Sequence, residues 1–432
     1  MLCWAGFGDA RVLAGELAYG AGYFLAHESN VTQVPVNPVP EWIQSLIAGF
    51  AYRQNTVDFD ARLLAQLERR NYLHNTFSSN TGVYLNGAAV WAISPQRLVW
   101  RAEEIYREVR LDVTTPDVPS NRVAVSSLST GPDFTLRLDS RNSSEFGARY
   151  GRFDIKGPGD NVRHSGYARW VYRSSPRTTL SLNYEPTRVT FQDPVSFANF
   201  LREERFLRYD AGLSLTQVRI DVGTSRLTRA GAEEVNGRLA RLTMTYRPNS
   251  QSTLGIQLAN QYSDTASDLL KGVTAVTVAD SGSLPVFPPS IDVITGDVYY
   301  SRLSELTYVN RGGRMDYSLR ALARHVDYQV QNLDYDLRLG SFAWTWRLTG
   351  ATQIIAYTEY LTRKFLDFDQ LDTERNTNVT LNFGVNRNVN LLLGVGRLER
   401  SSTASQANFL DWRATVFLSY SSGPLYVIQP RR

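Results

Sequence analysis

The stretch NVTLNFGVN, Asn378–Asn386, places Val379, Leu381, Phe383 and Val385 on one side of an extended chain and Asn378, Thr380, Asn382, Gly384 and Asn386 on the other. Strict two-residue alternation describes a β-strand with one apolar and one polar face. The same period recurs along the chain. Leu207, Tyr209, Ala211, Leu213 and Leu215 oppose Arg208, Asp210, Gly212 and Ser214. Val218, Ile220 and Val222 oppose Arg219, Asp221 and Gly223, and Ala240, Leu242, Met244 and Tyr246 oppose Arg241, Thr243 and Thr245. Near the C-terminus, Trp412, Ala414, Val416, Leu418 and Tyr420 oppose Arg413, Thr415 and Ser419.

Composition narrows what such strands can build. The chain has 432 residues, 43% of them hydrophobic and 20% charged, so it is too apolar for disorder. Two or three soluble domains or one large barrel would use that length. No window approaches 18 consecutive apolar residues, which excludes a helical membrane protein. A membrane β-barrel is not excluded, because its strands offer only every second residue to lipid. Aromatic residues reach 12%, while mean hydropathy is only −0.28. Among the 46 basic residues only Lys156, Lys271 and Lys364 are lysines. An arginine excess suits fixed ion pairs in a polar channel, and a GC-rich genome explains it equally well. Net charge is +4 with no clustered Lys/Arg run, which argues against nucleic acid as a partner. The lone Cys3 cannot form an internal disulfide.

Alternation alone does not separate a soluble sandwich from a membrane barrel. Three features favour the barrel. The apolar faces often end in Tyr or Trp, as at Tyr19, Tyr52, Trp91, Trp170, Tyr172, Tyr246, Tyr317 and Trp412, where interfacial girdles would lie. The polar faces carry Arg with Asp or Glu at mid-strand. Connections alternate between tight ones, such as Gln54 to Thr56 and Asn310 to Gly313, and longer ones, such as Glu28 to Glu41 and Asp112 to Asn121. Nine tight turns between ten long links predict about 20 antiparallel strands in a transmembrane up-and-down β-barrel, with 18 the nearest alternative. Both termini then lie on the periplasmic side of a bacterial outer membrane.

Several segments stand apart. At Arg338 to Phe342 the apolar parity switches from odd to even, which predicts a β-bulge near Gly340. The faces of Ile354 to Phe365 cannot be assigned. The link Ser263 to Ile294 is too long for an idle connection and is expected to fold inward as a constriction or lie across the mouth. Residues 1–10 fit a remnant of an export signal or a plain tail, with small Gly8 and Ala10 after a short apolar stretch, and the start codon could lie upstream. The barrel is expected over residues 11–420, followed by a C-terminal tail, 421–432.

The order Pro95-Gln96-Arg97-Leu98-Val99-Trp100, then Asn121-Arg122, then STGPDFTLRL at Ser129–Leu138 resembles the outer-membrane β-barrel family associated with the PEP-CTERM/exosortase system and exopolysaccharide gene clusters. Tyr23–Val31, YFLAHESNV, is similar to the segment opening that family's first strand. The likeness spans about residues 16–420. It implies a non-enzymatic barrel linked to polysaccharide secretion or surface-protein sorting, and carries over no catalytic residues.

Catalytic signatures are lacking: there is no HExxH, GxSxG, Walker A or CxxC. His27, His74, His164 and His325 share no metal-ligand spacing, so neither a metal nor a cofactor is expected. His164 beside Ser165 could imitate a Ser-His pair, but a rim or lumen histidine is the commoner case. The candidate functional surface is the polar face. Its pore-lining candidates are Arg101, Arg137, Arg149, Arg169, Arg208, Arg219, Arg241, Arg320, Arg324, Arg413, Asp210 and Asp221. These would form a salt-bridged ladder, with preference for anions or acidic polysaccharide as a by-product. The expected role is an exopolysaccharide-associated channel; an anion-preferring or general porin, or a scaffold barrel plugged by its loops, are the alternatives. Expected partners are outer-membrane lipid and lipopolysaccharide, polysaccharide or small anionic solutes, and periplasmic secretion components.

Overall fold

A computed structural model describes residues 15–155, 159–275 and 295–423. Its strands are β1 (Glu16–Glu28), β2 (Glu41–Asn55), β3 (Phe59–Tyr72), β4 (Asn80–Ser94), β5 (Leu98–Arg110), β6 (Arg122–Arg137), β7 (Asn142–Asp154), β8 (Asn161–Ser175), β9 (Thr178–Phe191) and β10 (Phe200–Gly212). They continue as β11 (Thr216–Arg229), β12 (Val235–Tyr246), β13 (Ser252–Asp264), β14 (Val298–Arg311), β15 (Met315–Tyr328), β16 (Tyr335–Arg347), β17 (Thr352–Phe365), β18 (Leu371–Gly384), β19 (Val389–Ser402) and β20 (Phe409–Ser421). Helix α1 (Thr265–Ala275) follows β13. Each strand pairs antiparallel with its sequence neighbour, and β1 pairs with β20 through Gly20↔Ser421 to Glu28↔Arg413, closing a 20-stranded barrel without an edge.

Register fixes which face is which. Leu17↔Tyr52 and Tyr19↔Phe50 share the outer side with Leu46 and Leu418, all exposed except the half-buried Tyr52, whereas Ala18↔Ala51 share the inner side and are buried. The exposed Leu, Val, Phe, Tyr and Trp form a continuous outer band that only lipid would cover. A 13-residue strand such as β10 is about 43 Å long at ~3.3 Å per residue, more than a tilted crossing of a roughly 25 Å band needs. The surplus stands above the band on the side of the long links. Close packing rather than strand flexibility explains one early glycine. A Cβ at Gly22 would lie 2.6 Å from the Phe417 ring that lies over it on the inner wall.

The bulge expected near Gly340 is absent: Leu339↔Leu322, Gly340↔Ala321 and Ser341↔Arg320 continue one register, and β17 pairs just as evenly on the other side. The parity switch has another cause. Tyr335, Leu337 and Leu339 point inward and are buried under an inward-folded link, while Phe342 faces out and is exposed. The strand keeps its faces and changes which of them is apolar. Register shifts fall instead between Ala92 and Ser94 and between Arg173 and Ser175, each beside a tight turn. In β17, whose faces the sequence left open, Tyr357, Glu359, Leu361, Arg363 and Phe365 share the inner side. Residues 1–10 and most of the tail after Ser421 lie outside the described residues.

Candidate functional site

All twelve arginine and aspartate candidates fall on the inner side of the wall by register, as in Arg208↔Ser181, Arg208↔Asp221, Arg219↔Asp210 and Asp221↔Arg241. Most pair across neighbouring strands. Arg208 holds Asp221 at 2.7 Å, Arg219 holds Asp210 at 2.7 Å, and Arg320 holds Glu305 at 2.7 Å. Arg241 reaches both Glu204 and Asp221. Arg101 and Arg149 converge on Asp133, each at 2.6 Å, where the Tyr167 hydroxyl also donates at 2.7 Å. Arg413 takes Asp411 and Glu28, and Arg169 stacks over Tyr167 with Glu145 3.7 Å away. Arg137 sits opposite Ser143 and makes no ion pair among the described residues. Arg324 donates to the Ser301 hydroxyl of β14 at 3.1 Å and also pairs with Asp268 of α1 at 2.8 Å.

Some of these pairs are asymmetric in exposure, whereas Arg320–Glu305, Arg169–Glu145 and Arg413–Glu28 are not. The Arg101 side chain is 47% exposed over an Asp133 that is 13% exposed, and Arg241 is 24% exposed over an Asp221 that is 2% exposed. Short carboxylates stay at the strand surface, while longer guanidinium stems reach past them into the lumen. Where a pair is asymmetric, arginine N–H groups rather than carboxylate oxygens face the lumen.

Two elements cross the lumen from opposite sides in its long-link half. The β5–β6 link, 111–121, projects from its own strands to the far wall, where Val113 packs on Tyr299, Val326, Tyr335, Leu337 and Phe365 of β14 to β17. Arg400 of β19 seizes it: its guanidinium donates to the carbonyls of Val113, Thr114 and Thr115 at 3.0–3.2 Å and to Asp372 at 2.7 Å. The Arg400 and Asp372 side chains are fully buried. Arg110 holds the Val113 and Thr115 carbonyls from the other side. Asn121 closes the base, accepting from the Asp112 amide and donating to the Asp112 and Pro116 carbonyls, and Arg122 forks onto Asp117.

Helix α1 crosses in return. It begins at Asp264, which accepts the Ser267 amide at 3.0 Å as an N-cap and pairs with Arg163 of β8 and Arg202 of β10. Ala266 and Leu269 bury against Ile105, Val125 and Phe153 of β5 to β7. Asp268 accepts from Ser263, Tyr299 and Arg324, so the opposite flank is tied to β13 to β15. Of the long link expected to act as constriction or lid, the described part is thus an inward-folded helix; residues 276–294 lie outside the described residues.

Sequence reasoning named the ladder but missed Arg400, Asp372, Arg110, Arg163, Arg202, Asp264 and Asp268. Their roles depend on links folding back across the barrel, which no local period encodes. One signal was present: Asn121-Arg122, singled out as a motif, is the clasp of the 111–121 link, and Asp133 of the Ser129–Leu138 motif is the hub for Arg101 and Arg149. His164 and Ser165 are adjacent on a strand and face opposite sides, His164 outward beside Tyr150, so they form no pair. His325 bonds Asp336 on the outer side at 2.8 Å. Among the described residues no cluster of His, Cys, Asp and Glu has a metal-binding arrangement.

No family model and no curated protein matches the sequence. Solved structures do match in shape. A mutant of the ferric enterobactin receptor of Pseudomonas aeruginosa aligns with TM-score 0.51 at 10% identity, covering 94% of this chain and 80% of its own. The FrpB iron transporter of Neisseria meningitidis aligns at 0.45 with 9% identity over 93% and 81%. OccK2 of Pseudomonas aeruginosa aligns at 0.38 with 11% identity over 94% and 97%. At such identity the likeness is one of fold. With an apolar outer band, a charged inner wall, closed pairing, tight turns at one end and long links at the other, the chain is a β-barrel of the bacterial outer membrane.

Proposed function

We propose that this barrel is a gated, cofactor-free passage for anionic material, and that the material is an acidic exopolysaccharide handled with periplasmic secretion components. The observation that carries the reading is the inner wall, where exposed guanidinium groups overlie buried carboxylates, as at Arg101 over Asp133 and Arg241 over Asp221. Such a layer raises the local concentration of anions and offers forked donors to carboxylates. The polysaccharide assignment draws on the family resemblance through Pro95–Trp100, Asn121-Arg122 and Ser129–Leu138. A general anion-preferring porin is the coarser form of the same reading.

The test uses the purified barrel in a planar bilayer. Polygalacturonate is expected to block the current at concentrations where neutral dextran of equal size does not, and to do so more weakly as salt rises. A cation-selective current indifferent to both polymers overturns the proposal. Two crossing elements favour a second reading, a barrel plugged by its own links that scaffolds a periplasmic or surface partner. Silence of both the native barrel and a variant with the 111–121 link released selects it.

A further inference from the structure

The outer surface carries a feature that passage through the lumen does not use. At the long-link edge of the apolar band, outward arginines lie on girdle aromatics directly across the strand pairing: Arg205↔Tyr184, Arg375↔Tyr360 and Arg397↔Trp412. Their guanidinium carbons stand 5.7, 5.5 and 5.5 Å from the ring centroids. Arg302 does the same over Tyr300 at 6.0 Å along one strand. A guanidinium laid on a ring keeps its N–H edge turned to the surroundings and its stem along the band. Arg302 and Arg375 have no acidic partner among the described residues; Arg205, 3.5 Å from Glu203, stays 59% exposed, and Arg397, paired with Glu399 at 2.9 Å, stays 45% exposed. Four such stacks on separate stretches of the circumference, all at one edge of the band, make a collar of forked cationic donors where lipid headgroups begin.

Apolar grooves run down from this level. One, about 600 Å³, is floored by Ala168 and walled by Leu182, Leu207 and Val222, with Arg205 and Tyr184 at its head. A second, about 560 Å³, has Ala21 and Ala48 at its floor between Leu46 and Leu67, with Arg69 at its long-link end. Arg69 lies level in register with Leu46 and bonds only the Thr81 hydroxyl, at 3.1 Å, among the described residues. Each groove joins a cleft sized for hydrocarbon chains to an exposed arginine.

We propose that this collar is a binding site for an acylated, phosphorylated glycolipid of the outer leaflet, lipopolysaccharide. Its phosphates are held by the stacked arginines, and an acyl chain fills the groove below Arg205 or Arg69. Charge complementarity selects the occupant: a phosphate takes forked guanidinium bonds, and the long links place the collar in the leaflet where that glycolipid resides. A zwitterionic phospholipid satisfies the groove but not the collar.

The test measures lipid A retained by the purified full-length barrel, by native mass spectrometry, in competition with phosphatidylglycerol. Diphosphorylated lipid A is expected to outcompete both phosphatidylglycerol and dephosphorylated lipid A. Arg205→Glu with Arg375→Glu should weaken its retention at least roughly tenfold, the loss of charge-assisted hydrogen bonds. Ala168→Trp, which fills the groove and leaves every arginine in place, should lower retention while conductance stays native, reporting an intact barrel. Equal retention of phosphatidylglycerol, or unchanged lipid A retention in the charge-reversed variant, overturns the proposal.

Discussion

Arg400 shows how much can rest on one buried side chain. Its guanidinium and the Asp372 carboxylate are withdrawn from water, and each compensates the other's desolvation while Nη1 and Nη2 donate to link carbonyls. Removing one member of such a pair costs about 3–5 kcal/mol, because the survivor is left charged and buried. Arg400→Met is therefore expected to release the 111–121 link and raise single-channel conductance, whereas Asp372→Asn with Arg400→Met should recover part of the lost stability without restoring closure. Unchanged conductance in Arg400→Met would remove the link from the gating role. Acid should act on the same link through Asp117. Burial pushes that carboxyl up, but the forked Arg122 outweighs it and holds it below its usual 3.8. The depressed value means the pair's contribution is complete above about pH 3.8 and is lost as pH falls through the lower folded value. Conductance is expected to be flat from neutral pH to about pH 4 as far as this pair is concerned, and an Asp117→Asn barrel should behave at neutral pH as the native one does in stronger acid. Nothing local announces Arg400: in LERSS it reads as one more charged residue at a strand end, and its partners lie in a link that is close only after closure.

Strands were legible where each face kept one chemistry along its length. Val379, Leu381 and Phe383 of β18 all face out, so the period alone assigns them. β16 misled because its inner face is apolar at the long-link end, where Leu337 and Leu339 meet Val113, and polar or small lower down at Ser341 and Ala343. Sequence period reports composition of a face, and a barrel with material folded inside has inner positions that are as greasy as its outer ones. The same reasoning accounts for α1, hidden within a link whose proline-bearing remainder dominates the eye. Leu269 is 1% exposed in the cluster with Ile105 and Phe153. Leu269→Asp buries a charge there and loses the packing, a cost of about 2–5 kcal/mol that exceeds what a docked 11-residue helix can absorb. Helix α1 should leave its site while the hydrogen-bonded wall persists. The expected result is higher conductance with unaltered heat-modifiable gel mobility; loss of the folded band would show that α1 supports the wall itself.

At the scale of the whole barrel, the question is whether the inner arginines only stiffen the wall or also set what passes. Both roles use the same residues, yet they respond differently when one acid is removed. Asp133 lies beneath Arg101 and Arg149, so Asp133→Asn leaves two guanidinium groups and adds one net positive charge to the lumen while nearly preserving shape. A purely mechanical ladder would lose stability and keep its selectivity. A wall that works through its potential should shift the reversal potential further toward the anion side, and Arg101→Glu should shift it the other way. Ionic strength supplies the internal control. Screening reaches about 10 Å at 0.1 M salt and about 3 Å at 1 M, so the difference between the two variants should be large at the lower concentration and shrink at the higher. Arg101 is nearly half exposed to the lumen, which makes it the side chain whose field mobile ions would feel most directly. If both variants keep the native reversal potential at 0.1 M, the arginine layer is a brace, and selectivity must be sought at the two crossing elements instead.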